Sequence, residues 1–182
     1  MEIISSKDNK KIKEARKLLT KKYRKNSYLI EGFHLLEEAL KAGRSIKQIF
    51  VEENKLTKLT EMIGSEKLLT DLSVNLVSKE VLKSLADSES PQGLIAEVTK
   101  IEEVIDFSAA KFLLLENVQD PGNVGTMIRT ADAAGFSAVI LLGETADIYS
   151  PKVMRSMQGS NFHLPLVRMA KEDCFAQLKK AG

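Results

Sequence analysis

The chain has 182 residues, 43% of them hydrophobic and 29% charged, with a formal net charge of +2, one cysteine and two histidines. That is the composition of a folded chain rather than a disordered one, and no apolar run reaches the roughly 18–20 residues of a membrane span. Cys174 alone excludes an internal disulfide and an all-cysteine metal site, and with only His34 and His163 beside it no metal centre is expected.

The start, Met1-Glu2-Ile3-Ile4-Ser5-Ser6-Lys7, lacks a basic segment leading into an apolar one, so no secretory leader is read there and the expected location is the cytoplasm. The first 25 residues hold ten basic and three acidic side chains, a surplus of seven, so the remainder carries −5. Such a block suits a polyanion, because each phosphate neutralised releases counterions. A solvated lysine-rich helix face explains the block equally well. Lys21, Lys22, Arg24 and Lys25 are the candidate nucleic-acid contacts. With no tryptophan and three tyrosines, no base-stacking platform stands out.

In chain order, Ser6 is a candidate cap for a helix over 7–23 with Ile12, Ala15, Leu18 and Leu19 on one face. A strand over 27–30, a helix over 33–42 closed by Gly43, a strand over 45–52 and a helix over 55–63 ending at Gly64 follow. A strand over 74–77, a helix over 79–85, a loop over 87–93 and a strand over 94–98 complete an alternating α/β domain, assigned to residues 1–99. Residues 100–110 read as a linker. From 111 to 182 the order is strand (112–115), turn (119–123), helix (124–134), strand (138–142), helix from Pro151, strand (164–167) and helix (172–180). The near-continuous apolar strands predict a parallel sheet.

One stretch carries chemistry: Asn117-Val118-Gln119-Asp120-Pro121-Gly122-Asn123-Val124-Gly125-Thr126-Met127-Ile128-Arg129-Thr130-Ala131-Asp132-Ala133-Ala134-Gly135. A strand runs into a glycine–proline turn and a helix start, which is where open α/β sheets bind ligands. The first amides of the helix favour an anionic partner. Asn123 either caps the helix or turns its amide to a ligand, Gly125 admits a close neighbour, and Arg129 is able to hold a phosphate bidentately. Neither a dinucleotide fingerprint nor a P-loop is present. A well-capped structural unit with an exposed arginine remains the plain alternative.

The string resembles the first signature of the SpoU (TrmH-like) RNA ribose 2′-O-methyltransferases of the SPOUT class: Asn117, Asp120-Pro121, Asn123-Val124-Gly125, Arg129-Thr130-Ala131 and Gly135 match in order and spacing. Ser150-Pro151-Lys152-Val153-Met154-Arg155-Ser156-Met157-Gln158-Gly159 with His163-Leu164-Pro165-Leu166 is similar to the family's second helix and next strand. Tyr28–Gly32 and Ser90–Ala96 are similar to its amino-terminal substrate-binding domain. The resemblance implies a small α/β RNA-binding domain followed by a knotted, normally dimeric SPOUT domain at 111–182. It implies methyl transfer from S-adenosylmethionine to a ribose 2′-hydroxyl, in ribosomal rather than transfer RNA. Arg129 and Asn123 would be the catalytic residues and Arg155 a further phosphate contact. The family's later glycine-glutamate-glycine and serine-leucine-asparagine motifs do not occur before Gly182. The cofactor residues are therefore expected mainly beyond that point, which makes the chain an incomplete form. Two other readings are a non-catalytic RNA-binding protein and an unrelated α/β enzyme for a phosphorylated metabolite.

Overall fold

The computed structural model describes residues 2–64, 71–108 and 111–182. The chain divides into two compact units: Met1–Lys100 with Tyr149–Pro151, and Ile101–Ile148 with Lys152–Gly182.

The first unit is a four-stranded mixed sheet. Its strands are β1 (Ser27–Glu31), β2 (Ile46–Glu52), β3 (Val74–Val77) and β4 (Leu94–Thr99), in the order β1-β4-β2-β3. β4 is antiparallel to both neighbours, and β2 and β3 are parallel. Helices among the described residues include α1 (Lys10–Lys17), α2 (Phe33–Lys41), α3 (Leu56–Ile63) and α4 (Lys79–Leu85). Ile12, Ala15 and Leu18 from α1 and its end, and Val81, Leu82 and Leu85 from α4, pack with Leu29, Phe50 and Ile95 on one face of the sheet. Full burial of a side chain such as Ile12 or Phe50 contributes about 2–3 kcal/mol. Strand alternation sends Ile30, Ile49, Leu94 and Ala96 to the other face, and all four are buried.

The first helix is shorter than its apolar spacing predicts. Asn9, not Ser6, caps it, accepting from the Lys11 N–H at 2.9 Å. It stops at Lys17, and Lys21–Tyr23 forms a separate 3-10 turn. Arg24 is the cause. Its guanidinium turns inward and donates to the Leu18 and Leu19 carbonyls, each at 2.8 Å, which satisfies the chain end that a longer helix would have bonded.

The second unit holds β5 (Phe112–Glu116), β6 (Ala138–Leu142) and β7 (Leu166–Arg168), parallel throughout and in sequence order. Its helices are α5 (Pro121–Ala133), α6 (Pro151–Met157) and α7 (Lys171–Ala181). All five residues of the central β6 are buried, as its apolar run predicts. Cys174 of α7 packs on Ile140 and Leu142, with Ile105 and Phe107 against the same cluster. Burial pushes the Cys174 thiol upward, so it is a packing group rather than a nucleophile. Ile105 and Phe107 tie part of the stretch read as a linker to this unit; residues 109 and 110 lie outside the described residues. Pro165 precedes β7, so it removes no donor from within that strand.

Candidate active site

β5 ends at Glu116, and the chain reverses through Asn117, which has φ 57°. Asparagine tolerates the left-handed region because its short amide bonds locally. Here its Oδ1 accepts from the Glu144 N–H at 2.8 Å, which ties the end of β5 to the loop after β6. Gly143 belongs to the same arrangement: it has φ +54°, and a Cβ there would lie 2.3 Å from Asn117 Oδ1. At the end of β5, the Glu116 carboxylate lies 2.8 Å from the Lys171 ammonium and raises the lysine above its ordinary value.

The loop over 143–146 is held from two more sides. The buried Thr145 hydroxyl lies 2.8 Å from the Leu115 and Leu142 carbonyl oxygens and accepts from the Val118 N–H at 3.3 Å. Arg168, the last residue of β7, donates to the carbonyls of Gly143, Thr145 and Ala146. Three parallel strands thus end on one pinned loop, where sheets of this kind take a ligand. Thr145→Val should lower unfolding free energy by about 1–3 kcal/mol in a urea titration, because the isostere leaves buried partners unsatisfied. An unchanged midpoint would show that water replaces the hydroxyl.

Helix α5 starts at Pro121, with Asp120 as its cap. The Asp120 carboxylate accepts from the Asn123 N–H at 2.7 Å. Of the two readings open for Asn123, cap or ligand contact, this removes the first. Asn123 sits in the first turn with its amide exposed. Gly125 faces the next helix rather than a ligand: a Cβ there would stand 2.3 Å from Ser156 Cβ and 3.0 Å from the Met157 nitrogen. Ser156 donates to the Gly122 carbonyl at 2.9 Å and locks the crossing.

Arg129 follows Gly125 by four residues and precedes Asp132 by three, so the three share one stripe of α5. Both ends of the stripe are fixed, by Ser156 at Gly125 and by His163 at Asp132, whose Nδ1 lies 2.7 Å from Asp132 Oδ2. Between them Arg129 is exposed and makes no hydrogen bond or ion pair among the described residues. Asn123 stands six residues away, about 120° round the helix. Asn123 therefore does not share Arg129's stripe. Arg155 is half-buried on α6 beside Ser156. His163 has 45% of its side chain exposed. Thr145, Arg168, Ser156 and Asp132 carry no local signal in the sequence; each has a partner at least 25 residues away.

In the first unit, Lys21, Lys22 and Lys25 are exposed and Arg24 is 6% exposed. Arg24 is therefore a structural clamp, not a nucleic-acid contact. Arg24→Ala should cost about 2–4 kcal/mol of stability and leave the salt dependence of RNA binding alone. Joint replacement of Lys21, Lys22 and Lys25 by alanine should do the reverse, flattening the slope of log affinity on log salt by up to about 2–3. A flattened slope in the arginine variant would restore it to the interface.

Residues 9–96 match the MRM3-like substrate binding domain, and residues 110–182 match the SpoU rRNA Methylase family. The chain is 43% identical over 184 residues to the 23S rRNA (guanosine(2553)-2′-O)-methyltransferase RlmP of Bacillus subtilis, covering 100% of this chain and 71% of that protein. It is 33% identical over 147 residues to the human mitochondrial rRNA methyltransferase 3, covering 76% of this chain and 34% of that one. Among solved structures, the AdoMet-bound rRNA methyltransferase from Sinorhizobium meliloti superposes with a TM-score of 0.83 at 30% identity, over 100% of this chain and 69% of that one. The match to RlmP runs the whole length of this chain, its second half matches the family model, and the chain belongs to the SpoU rRNA methylase family.

Proposed function

We infer that this protein transfers a methyl group from S-adenosylmethionine to a ribose 2′-oxygen of ribosomal RNA. Arg129 carries the reading: a guanidinium with no partner among the described residues, on a stripe of α5 fixed at both ends. Bound S-adenosylmethionine supplies a methyl on a sulfonium sulfur. That methyl would pass to the ribose oxygen with the neutral thioether as leaving group, and the hydroxyl proton must go to solvent or a base. Arg129 does not take that proton, since a guanidinium cation only donates and has no lone pair to receive one. Its work is to grip the phosphate beside the target ribose in a bidentate contact and aim the hydroxyl, an orientation effect. The exposed Asn123 amide contacts the ribose, and Arg155 contributes a second phosphate contact. For the cofactor, the chain offers the pinned crest of Gly143 and Glu144 at the carboxyl ends of the strands, a fixed wall able to hold a nucleoside.

The further parts of the reading are a substrate-binding domain at 1–99, a homodimer and a cytoplasmic location. The basic residues Lys21, Lys22 and Lys25 dock the RNA. The test is incorporation of labelled methyl from S-adenosylmethionine into ribosomal RNA. Incorporation supports the reading; RNA binding with no incorporation favours a non-catalytic RNA-binding protein.

A further inference from the structure

We propose that the cleft beside Tyr23 in the first unit seats one unpaired RNA base bearing an exocyclic amine, stacked on the Tyr23 ring and hydrogen-bonded to Glu97. The proposal rests on the reading that RNA is the substrate, and it concerns a nucleotide other than the one methylated.

Glu97 is out of place as a structural residue. It lies on β4, between β1 and β2, and is 8% exposed. Alternation puts it on the Ile95 side, the face that α1 covers. A carboxylate costs several kcal/mol there unless it is bonded. Its partners are the Ser27 hydroxyl at 2.6 Å and the Lys47 ammonium at 3.5 Å on Oε1, and the Gln48 amide at 2.8 Å on Oε2. Each carboxylate oxygen takes about two donors, so Oε2 retains room for one more.

Glu97 lines a cleft of about 240 Å³ together with Glu14, Lys17, Leu18 and Tyr23. Tyr23 is 45% exposed, although Arg24 holds its turn rigidly from beneath. The Lys22 ammonium stands 4.8 Å from the ring centroid. Exposed Lys21, Lys22 and Lys25 flank the ring in sequence; Lys17 is paired with Glu14 at 2.8 Å. An open aromatic ring, a buried acceptor and flanking cations are the three parts that recognise a single-stranded nucleotide: stacking, edge reading and phosphate neutralisation. The sequence alone offered no stacking platform, because a single tyrosine becomes one only when the fold leaves its ring exposed in a cleft shared with an acceptor.

The edge chemistry selects the base. A carboxylate only accepts. Cytosine, adenine and guanine present an amino group. The one ring N–H of uracil lies between two carbonyl oxygens that would face the carboxylate.

The experiment measures binding of short labelled oligocytidine and oligouridine to the whole chain at fixed salt. These bases stack comparably and differ at the edge. Wild type should bind oligocytidine about tenfold more tightly, the worth of one hydrogen bond to a charged acceptor. Glu97→Gln should bring the ratio toward one. Tyr23→Ala should weaken oligocytidine binding about tenfold, and Tyr23→Phe should not. The tyrosine pair keeps the test decisive if the glutamate variant fails to fold. Equal wild-type affinities, no measurable affinity for either oligomer, or full affinity in Tyr23→Ala would overturn the proposal. Methyl transfer in those cases would leave the enzymatic reading standing. A cytidine preference without methyl transfer would leave the pocket standing and remove the reading instead.

Discussion

Replacing Arg129 with alanine is expected to cut methyl transfer to ribosomal RNA roughly a hundredfold to a thousandfold, the cost of losing one preorganised charged group in a transition state. Fold stability should stay within about 0.5 kcal/mol, because the exposed side chain has no recorded partner among the described residues to lose. Bulk RNA affinity should fall far less than the rate, since one phosphate contact among many is removed. Arg129→Lys should recover little. A lysine keeps the charge and loses the planar fork that fixes a phosphate from two sides. A variant that transfers methyl at the wild-type rate would remove Arg129 from the chemistry.

The second large effect is structural. Gly125→Ala should destabilise the protein by about 1–3 kcal/mol, the range for overpacking a close contact. The added carbon would meet Ser156 Cβ at 2.3 Å, a distance at which one helix must move. Gly122→Ala is the control, because its nearest neighbour would be Asp120 Oδ1 at 3.2 Å. Combining Gly125→Ala with Ser156→Gly should recover part of the loss, so the two changes will not add. Chemical denaturation of wild type, Gly125→Ala, Ser156→Gly, their combination and the Gly122→Ala control reads this directly. The single variant should also transfer methyl slowly, because Arg129 lies one turn from the displaced contact. Wild-type stability in Gly125→Ala would mean that the helices crossing there have room the geometry does not show.

Much of this was legible in the residues. Ala138–Leu142 reads as a buried parallel strand because it lacks polar alternation, and it is one. The Asp120-Pro121 pair and the apolar set Val124, Ile128 and Ala131 locate helix α5. What stayed hidden depends on contacts across the chain. The inward turn of Arg24 follows from two carbonyls that only the folded turn presents. The clamp on the 143–146 loop needs Thr145 and Arg168 to meet residues of other strands. Asn123 looked like a cap because asparagine favours that position; Asp120 with proline after it competes better. Glu97 gave no sign of its pocket, because a charged residue in an apolar strand reads locally as a solvent-facing one.

The most direct measurement locates the methyl group. RNA methylated with labelled S-adenosylmethionine is hydrolysed in alkali, which requires a free 2′-hydroxyl at each cleaved step. Label is expected in an alkali-resistant dinucleotide, carried on the ribose, and should be lost with Arg129→Ala. Label recovered on a base in single nucleotides would contradict ribose methylation.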